Sequence, residues 1–377
     1  MMRQALLLLG ALPLGACSFF QKVSVEPLAT SFARPSNIAA FVAVTDGDDG
    51  VTELSPSNFR VYENGELVPA DQTELTLLDP NLVAAPHVVL LVDMSAAQTP
   101  EARSLAAKAT LGFVQKVTRR EPVTVFAFDG STNLQQIAAF PRSDQAVTLA
   151  ALEAFTPRDS SRNLNGAVVA GLDKLKMALA QNGKLIKLGT LVVYASGPDV
   201  AGRVKGDDAH DKVWASPYDV VAIGVGEKGD DVESLARSGF IRVQQQTTLP
   251  IAFEEAADLT LQQLEKHYLV SFCSPARAGT RQLRLEVTYA NKEGDEHHGS
   301  FETEFSARAF GPGCNSLATP HLTLVPKEAP EKKAEPATNQ PKGDTSSHPG
   351  ADAPDSRGMD QGEDAPVAPP EHSGYAK

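Results

Sequence analysis

Carboxylate and hydroxyl side chains follow two long apolar runs of the sequence, and these side chains have the clearest capacity for chemistry. Asp93 and Ser95 come directly after the first run, and Ser196 and Asp199 come after the second. An uninterrupted apolar run is typical of a strand buried on both faces. Because open α/β sheets bind ligands outside the carboxyl ends of their strands, we expect these oxygen atoms to gather at one edge of a sheet.

The elements that would position these side chains alternate between strands and helices. Apolar runs predict strands over 87–92, 122–128, 137–140, 188–194, 220–225 and 241–243, and helical spacing predicts helices over 100–117, 144–155, 164–180, 230–237 and 253–268. This alternation predicts an α/β fold with a doubly wound, mainly parallel sheet. We assign it to residues 83–267.

The residues at the predicted strand ends resemble those of the von Willebrand factor type A fold. The resemblance rests on the segments 89–95, 164–167, 191–199 and 221–226, which occur in the order of that fold. It implies a protein-binding domain with a metal-ion-dependent adhesion site. Such a site needs an Asp-x-Ser-x-Ser loop, a threonine and a second aspartate, which together hold Mg²⁺ and leave one position open for a partner's carboxylate.

The chain departs from that pattern at three of the five ligand positions. Ala97 replaces the second serine, Arg162 replaces the threonine, and Ser196 replaces the second aspartate. We therefore predict no metal and no cofactor; Asp93, Ser95 and Asp199 are the remaining candidates for Mg²⁺. A guanidinium can supply the missing positive charge, so we predict that Arg162 or another nearby cation replaces the metal and pairs with Asp93. The alternative is that Arg162 points to solvent and Asp93 caps a turn.

The segments on either side of the α/β region predict β structure. Short β-like runs broken by turns fill residues 23–82, including Asn64-Gly65, a strong hairpin signal. Residues 268–315 continue in the same style, and both flanks resemble those of bacterial secreted members of the family. Together they reach the size of an immunoglobulin-like sandwich, so we expect one accessory β domain into which the α/β domain is inserted.

Three other motifs suggest enzyme or metal chemistry, and each has a simpler interpretation. Residues 224–229 match a dinucleotide fingerprint, but Asp230 and Asp231 would repel a pyrophosphate at the helix start. His297 and His298 could bind a soft divalent ion, yet adjacent strand residues face opposite ways, which favours a solvated hairpin. Because the sequence contains no hydrolase signature either, we predict a non-enzyme.

The N-terminus resembles that of a bacterial lipoprotein. Residues 1–16 have a charged start, a short apolar core and small residues before Cys17, which describes a signal peptide too short to span a bilayer. The resemblance implies cleavage before Cys17 and lipidation of that cysteine, leaving 17–22 as a lipidated linker. Ser18 favours the outer over the inner membrane, so we expect a cell-envelope lipoprotein.

The net charge, the cysteines and the C-terminal composition each lead to a further expectation. The net charge of −13 gives no reason to expect nucleic acid as a partner. Cys273 and Cys314 remain after Cys17 is used, and an oxidising compartment favours a disulfide between them. Residues 325–377 are rich in Pro, Glu, Lys, Gly and Ser and poor in large apolar residues, which predicts a disordered tail.

These observations favour a lipid-anchored envelope protein that binds an unknown protein partner, attached to the membrane through its N-terminal lipid. The candidate contacts are Asp93, Ser95, Arg162, Asn163, Ser196 and Asp199, in loops 93–98, 159–165 and 196–202. Two alternatives remain open. One is an envelope scaffold or assembly lipoprotein that binds through its β domain or tail, and the other is a cryptic enzyme.

Overall fold

The computed structural model describes residues 23–226 and 230–326, with the side chain of Asp230 left out. The predicted signal peptide, Cys17, and all of the predicted tail beyond residue 326 lie outside the described residues, as do residues 227–229 of the dinucleotide-like motif.

Sixteen strands and seven helices fill the described ranges. The strands are β1 Ser24–Ala33, β2 Asn37–Asp46, β3 Asp49–Gly50, β4 Phe59–Glu63, β5 Glu66–Leu67, β6 Thr76–Leu78, β7 Ala84–Asp93, β8 Val123–Phe128, β9 Gln135–Phe140, β10 Ile186–Ala195, β11 Asp219–Val225, β12 Gly239–Val243, β13 His267–Cys273, β14 Thr280–Ala290, β15 Glu296–Ser306 and β16 Thr323–Leu324. The helices are α1 Ala70–Thr73, α2 Pro100–Val117, α3 Ala150–Glu153, α4 Leu164–Ala180, α5 Gly206–Ala215, α6 Asp230–Glu233 and α7 Leu249–Glu265.

The α/β unit is built on a six-stranded sheet in the order β12-β11-β10-β7-β8-β9. All neighbours are parallel except β9, which pairs antiparallel with β8 at one edge. Helices α2 and α7 pack on one face of the sheet, and α4, α5 and α6 pack on the other. The prediction of a doubly wound, mainly parallel sheet is therefore confirmed.

The strand order places a crevice at one position. The chain moves outward from β7 through β8 to β9, returns to β10 on the other side of β7, and then continues outward to β12. The direction of winding thus reverses between β7 and β10, and ligands of such sheets bind beside the carboxyl ends of the strands at this point. Asp93 ends β7, and Ser196 follows the last residue of β10.

The two β flanks pair with each other in two further sheets. One has the order β16-β1-β2-β13-β6, with β3 on β2, and the other has the order β15-β14-β4-β5. Strands from before and after the α/β unit alternate in both, as in the β2–β13 and β4–β14 pairs. Apolar side chains of both sheets form one core, so the sheets face each other as a sandwich.

The sandwich supports the base of the α/β unit. Phe41 and Leu269, on the outer face of the first sheet, pack against Ala84 and Ile186, where β7 and β10 begin. A disulfide joins Cys273 at the end of β13 to Cys314, as predicted. The Asn64-Gly65 hairpin connects β4 and β5, with both residues at positive φ, also as predicted.

Several element predictions were wrong. Of the helix predicted over 144–155 only α3 forms. Before α3, the Ser143 hydroxyl accepts a hydrogen bond from the Gln145 amide, which favours a turn, and after α3 the chain reaches Pro157, which ends helical structure. The helix predicted over 230–237 is shortened to α6. Helix α7 starts before the predicted residue 253 and ends before 268, since β13 pairs with β2 from His267 onward. Helix α5 was not predicted.

The two adjacent histidines lie on β15 and face opposite ways. His298 is partly exposed, whereas His297 is buried and its Nδ1 lies 2.7 Å from Asp46 Oδ2. The expected solvated hairpin is therefore wrong for His297. The reason is that Asp46, at the end of β2 in the other sheet, supplies a partner that local sequence could not reveal.

Candidate functional site

The centre of the site is an ion pair at the end of β7. Arg162 Nε donates to Asp93 Oδ2 over 2.6 Å, and the two residues are 5% and 0% exposed. Strand β7 carries Asp93 to the crevice, and Arg162 reaches it from the loop before α4. The prediction that Arg162 pairs with Asp93 is confirmed, and the alternative of a solvent-facing arginine is wrong.

Asp93 is saturated by donors from three loops. The Ser95 amide donates to Oδ1 over 3.0 Å, and the amide and hydroxyl of Ser196 donate to Oδ2 over 3.0 and 2.7 Å. Burial alone would raise the pKa of Asp93. The charge of Arg162 and the hydrogen bonds from the Ser196 and Ser95 backbones outweigh burial, so the pKa lies below its usual value.

The guanidinium of Arg162 also forms hydrogen bonds with the loop that follows β10. Its Nη2 donates to the Ser196 hydroxyl over 2.6 Å, and its Nη1 donates to the Pro198 carbonyl over 3.1 Å. Gly197 lies against it, since a Cβ there would be 3.0 Å from Nη1. A larger residue at this position would force the guanidinium to shift.

Two further groups fix the β7 loop from below. Gln98 Nε2 donates to the Asp93 carbonyl over 2.6 Å, and its Oε1 accepts from the Tyr194 hydroxyl over 3.2 Å. Arg103, on α2, donates to the Gln98 carbonyl over 2.7 Å. Sequence reasoning missed Gln98 and Tyr194 as supports, because neither carries a recognisable motif.

The remaining predicted residues are close by, but they serve the backbone. Asp199 accepts from the amides of Asn165 and Gly202 over 2.9 and 2.8 Å, so it caps the start of α4. Asn163 donates from Nδ2 to the Ser131 carbonyl over 2.9 Å. The Ser95 hydroxyl is buried and makes no well-formed hydrogen bond to any described residue.

A second Asp-x-Ser turn adjoins the site, and a third follows it. Asp129 accepts from the amides of Ser131 and Arg158, over 2.8 and 2.6 Å. Asp159 accepts from the Ser161 amide over 2.9 Å and from Arg203 Nη2 over 2.9 Å. The repetition of Asp-x-Ser at 93, 129 and 159 is a sequence signal that would have located both turns.

The donor set does not fit a divalent cation. Mg²⁺ needs about six oxygen ligands near 2.1 Å, and the Asp93 carboxylate that would provide the first is occupied by a guanidinium. Asp199 points its two oxygens at amides. Among the described residues, no cluster of three or more His, Cys, Asp or Glu side chains is arranged to hold a metal.

The three loops expose small apolar side chains together with two partly exposed carboxylates, those of Asp159 and Asp199. Ala96 and Ala97 are exposed on the β7 loop, and Val200 is 58% exposed on the β10 loop. We call the surface of loops 93–98, 159–165 and 196–202 the top face. Its central charges, those of Asp93 and Arg162, are paired and buried, and small apolar side chains lie around this neutral centre.

Comparisons with known proteins give likeness of fold. No family profile and no curated protein matches the chain. A von Willebrand factor type A protein from Catenulispora acidiphila is similar in structure at 10% identity and a TM-score of 0.39, over 77% of this chain and 74% of that one. The proximal thread matrix protein 1 of the mussel byssus matches at 14% identity and a TM-score of 0.34, over 52% and 49%.

The SpRpn10 VWA domain is also similar, at 13% identity and a TM-score of 0.33, over 44% of this chain and 93% of that domain. At identities and TM-scores this low, none of these likenesses identifies an activity or a partner.

Proposed function

We propose that this protein is a lipid-anchored binding protein of the cell envelope, whose top face holds a protein partner without a metal ion. The observation that carries the proposal is the buried Arg162–Asp93 pair. Where a metal-dependent site would leave one coordination position open, this site is closed by a fixed cation. Binding would therefore depend on the shape and apolar surface of the loops around the pair.

The chemistry of the loops argues against catalysis. The Ser196 hydroxyl donates a hydrogen bond to Asp93, but Asp93 is a weak base because its pKa is lowered. The top-face loops contain no His, Cys, Lys or Glu. A nucleophile without a competent base, held by a saturated carboxylate, serves to position the loops.

The test places a charge on the top face and on a matched surface elsewhere. Ala97→Glu and Val200→Glu introduce a carboxylate that an apolar interface would have to desolvate. Met177→Glu is the control, because Met177 is also 58% exposed but lies in the second half of α4. Crosslinking in the producing cells, followed by affinity capture and mass spectrometry, identifies the bound proteins for each variant.

We expect one set of crosslinked proteins to persist with the control and to disappear with both top-face variants. A chain truncated after Pro326 tests the scaffold alternative in the same experiment. If the truncation removes the crosslinked proteins while the top-face variants keep them, the top face is not the binding surface and the tail is.

The membrane attachment is tested separately. Among the described residues, no helix has the length and hydropathy needed to cross a bilayer. We expect Cys17→Ser to release the protein from membranes or to leave it unprocessed, and density fractionation of the wild type to place it with the outer membrane. A Cys17→Ser chain that stays on membranes after salt and carbonate washing would refute the lipid anchor.

A further inference from the structure

Glu121 is a buried acid that the top face does not use. It lies between α2 and β8 at the opposite end of the sheet, and the residue is 1% exposed. Its amide donates to the Val117 carbonyl over 3.1 Å. Its Oε1 is buried without a hydrogen-bond partner, and no ion pair within the described residues includes Glu121.

The two anions whose charges act on Glu121 each have a cation of their own. Asp219 begins β11, and its Oδ1 lies 3.6 Å from Lys266 Nζ. Glu265 ends α7, and its Oε1 lies 3.7 Å from Arg120 Nε. These two anions and two cations already sum to zero. The neighbouring His267 adds no charge at neutral pH, because desolvation lowers its pKa to about 4.

We propose that Glu121 keeps its proton in the folded protein at neutral pH, and that its ionisation at higher pH loosens the junction between the α/β unit and the sandwich. An ionised Glu121 would be a buried carboxylate beside two others and without a cation of its own, which is costly. Burial, followed by the charges of Asp219 and Glu265, raises the pKa of Glu121 well above its usual value.

The junction is the part of the molecule that this charge would disturb. Lys266 alone separates α7 from β13, so helix and sandwich are directly linked there. The Val44 amide donates to the Lys266 carbonyl over 2.9 Å, and Gln262 Nε2 donates to the Gly50 carbonyl over 3.0 Å. An anion at Glu121 would repel Glu265, the last residue of α7, and Asp219, the partner of Lys266, on the segment that makes these contacts.

The sign of the pH dependence follows from linkage. An unfolded glutamate loses its proton near pH 4.3, whereas the folded one holds its proton to higher pH. The unfolded state therefore binds fewer protons between these two values, and stability falls as pH rises through that window. Below the lower value Glu121 contributes no pH dependence.

The experiment compares the full-length protein with Glu121→Gln and with Glu255→Gln, a control on the exposed side of α7. Denaturant unfolding is measured from about pH 5 to about pH 9. We expect the ratio of the unfolding constants of wild type and Glu121→Gln to rise by up to about tenfold per pH unit until Glu121 ionises in the folded state. Glu255→Gln should follow the wild type throughout. Parallel curves for wild type and Glu121→Gln would overturn the proposal.

Two further measurements localise the effect. In the wild type, hydrogen exchange of the Val44 amide should accelerate with pH more than the intrinsic exchange rate does, whereas in Glu121→Gln it should not. If the exchange rates of the two proteins had the same pH dependence, the ionisation of Glu121 would not loosen the junction. If Glu121→Gln does not fold, infrared spectra at about pH 7 test whether the Glu121 carboxyl is protonated. They are recorded on a Glu63→Gln chain, because burial also raises the pKa of Glu63 and its carboxyl would otherwise contribute to the same band. A protonated carboxyl band is expected, and its absence would refute the proposal.

Discussion

Replacing Arg162 with methionine tests the central feature of the site. Methionine keeps much of the arginine stem and its packing but removes the guanidinium. Asp93 would then be a carboxylate at 0% exposure with no cation beside it. It would keep the hydrogen bonds from the Ser95 amide and from the amide and hydroxyl of Ser196.

The expected loss is large because the pair is buried. Removing one partner of a buried ion pair typically costs about 3–5 kcal/mol, and the three remaining hydrogen bonds place this case near 3 kcal/mol. For a fold of about 300 residues, such a loss lowers the Tm by about 5 °C. Arg203→Met is the control, because its pair with Asp159 is 41% and 31% exposed, and such pairs are worth less than about 1 kcal/mol.

The pH dependence separates the lost charge from lost packing. In the wild type the pKa of Asp93 is lowered, so its ionised form adds stability above about pH 3.9, and that stability is lost as pH falls through the folded pKa. In Arg162→Met the pKa of Asp93 should rise, and stability should fall as pH increases. The difference in the free energy of unfolding between the two proteins should thus be greatest near neutral pH and shrink in acid.

Denaturant unfolding over that pH range measures the difference. Adding Asp93→Asn to Arg162→Met should recover much of the loss, because the buried charge is then removed. A loss of stability in Arg162→Met no larger than that in Arg203→Met, or a difference from wild type that does not change with pH, would show that the buried ion pair does not stabilise the fold.

Three further predictions follow from the site and its support. Gly197→Ala should destabilise the protein by about 1–3 kcal/mol through contact with the guanidinium, and by less in an Arg162→Met background, as thermal unfolding of the four proteins would show. Cys273 and Cys314 are 41 positions apart, so reducing their disulfide should cost roughly 3–4 kcal/mol, and alkylation of unreduced, denatured protein should label neither. Calorimetry should detect no Mg²⁺ binding to the wild type. Binding should appear in the triple variant Arg162→Thr, Ala97→Ser and Ser196→Asp, which provides the oxygen ligands that Mg²⁺ needs. Tight binding of Mg²⁺ by the wild type that Asp93→Ala abolishes would contradict the assignment of Arg162 as the cation of the site.

Local signals were sufficient for the elements that carry strong sequence patterns. Helices α2 and α4 have the bounds expected from helical spacing, and α2 begins where Thr99 accepts a hydrogen bond from the Ala102 amide and Pro100 follows. Strands β7 and β10 were equally clear, because each contains a run of apolar residues, 88–92 and 191–193. Helix α5 was missed because, of its described residues, it buries only Ala209 and Val213, which leaves little apolar periodicity in its sequence.

Contacts between distant segments were beyond local signals. The helix predicted through residue 268 stops early because β13 finds its partner in β2, more than 200 positions away. His297 is buried for the same kind of reason, since Asp46 comes from the other sheet. Burial of a polar residue depends on which partner the fold brings to it.

The sequence alone specifies which side chains the three loops carry, and that one of them, Arg162, brings a positive charge. The tertiary structure brings Arg162, 69 positions from Asp93, into the crevice, where it satisfies that carboxylate. It also decided that Glu121 is left without a cation while its neighbours are paired. The physical reason is that the sequence specifies the chemistry of each side chain, whereas its desolvation and its distance from other charges arise only when separate strands and loops pack together.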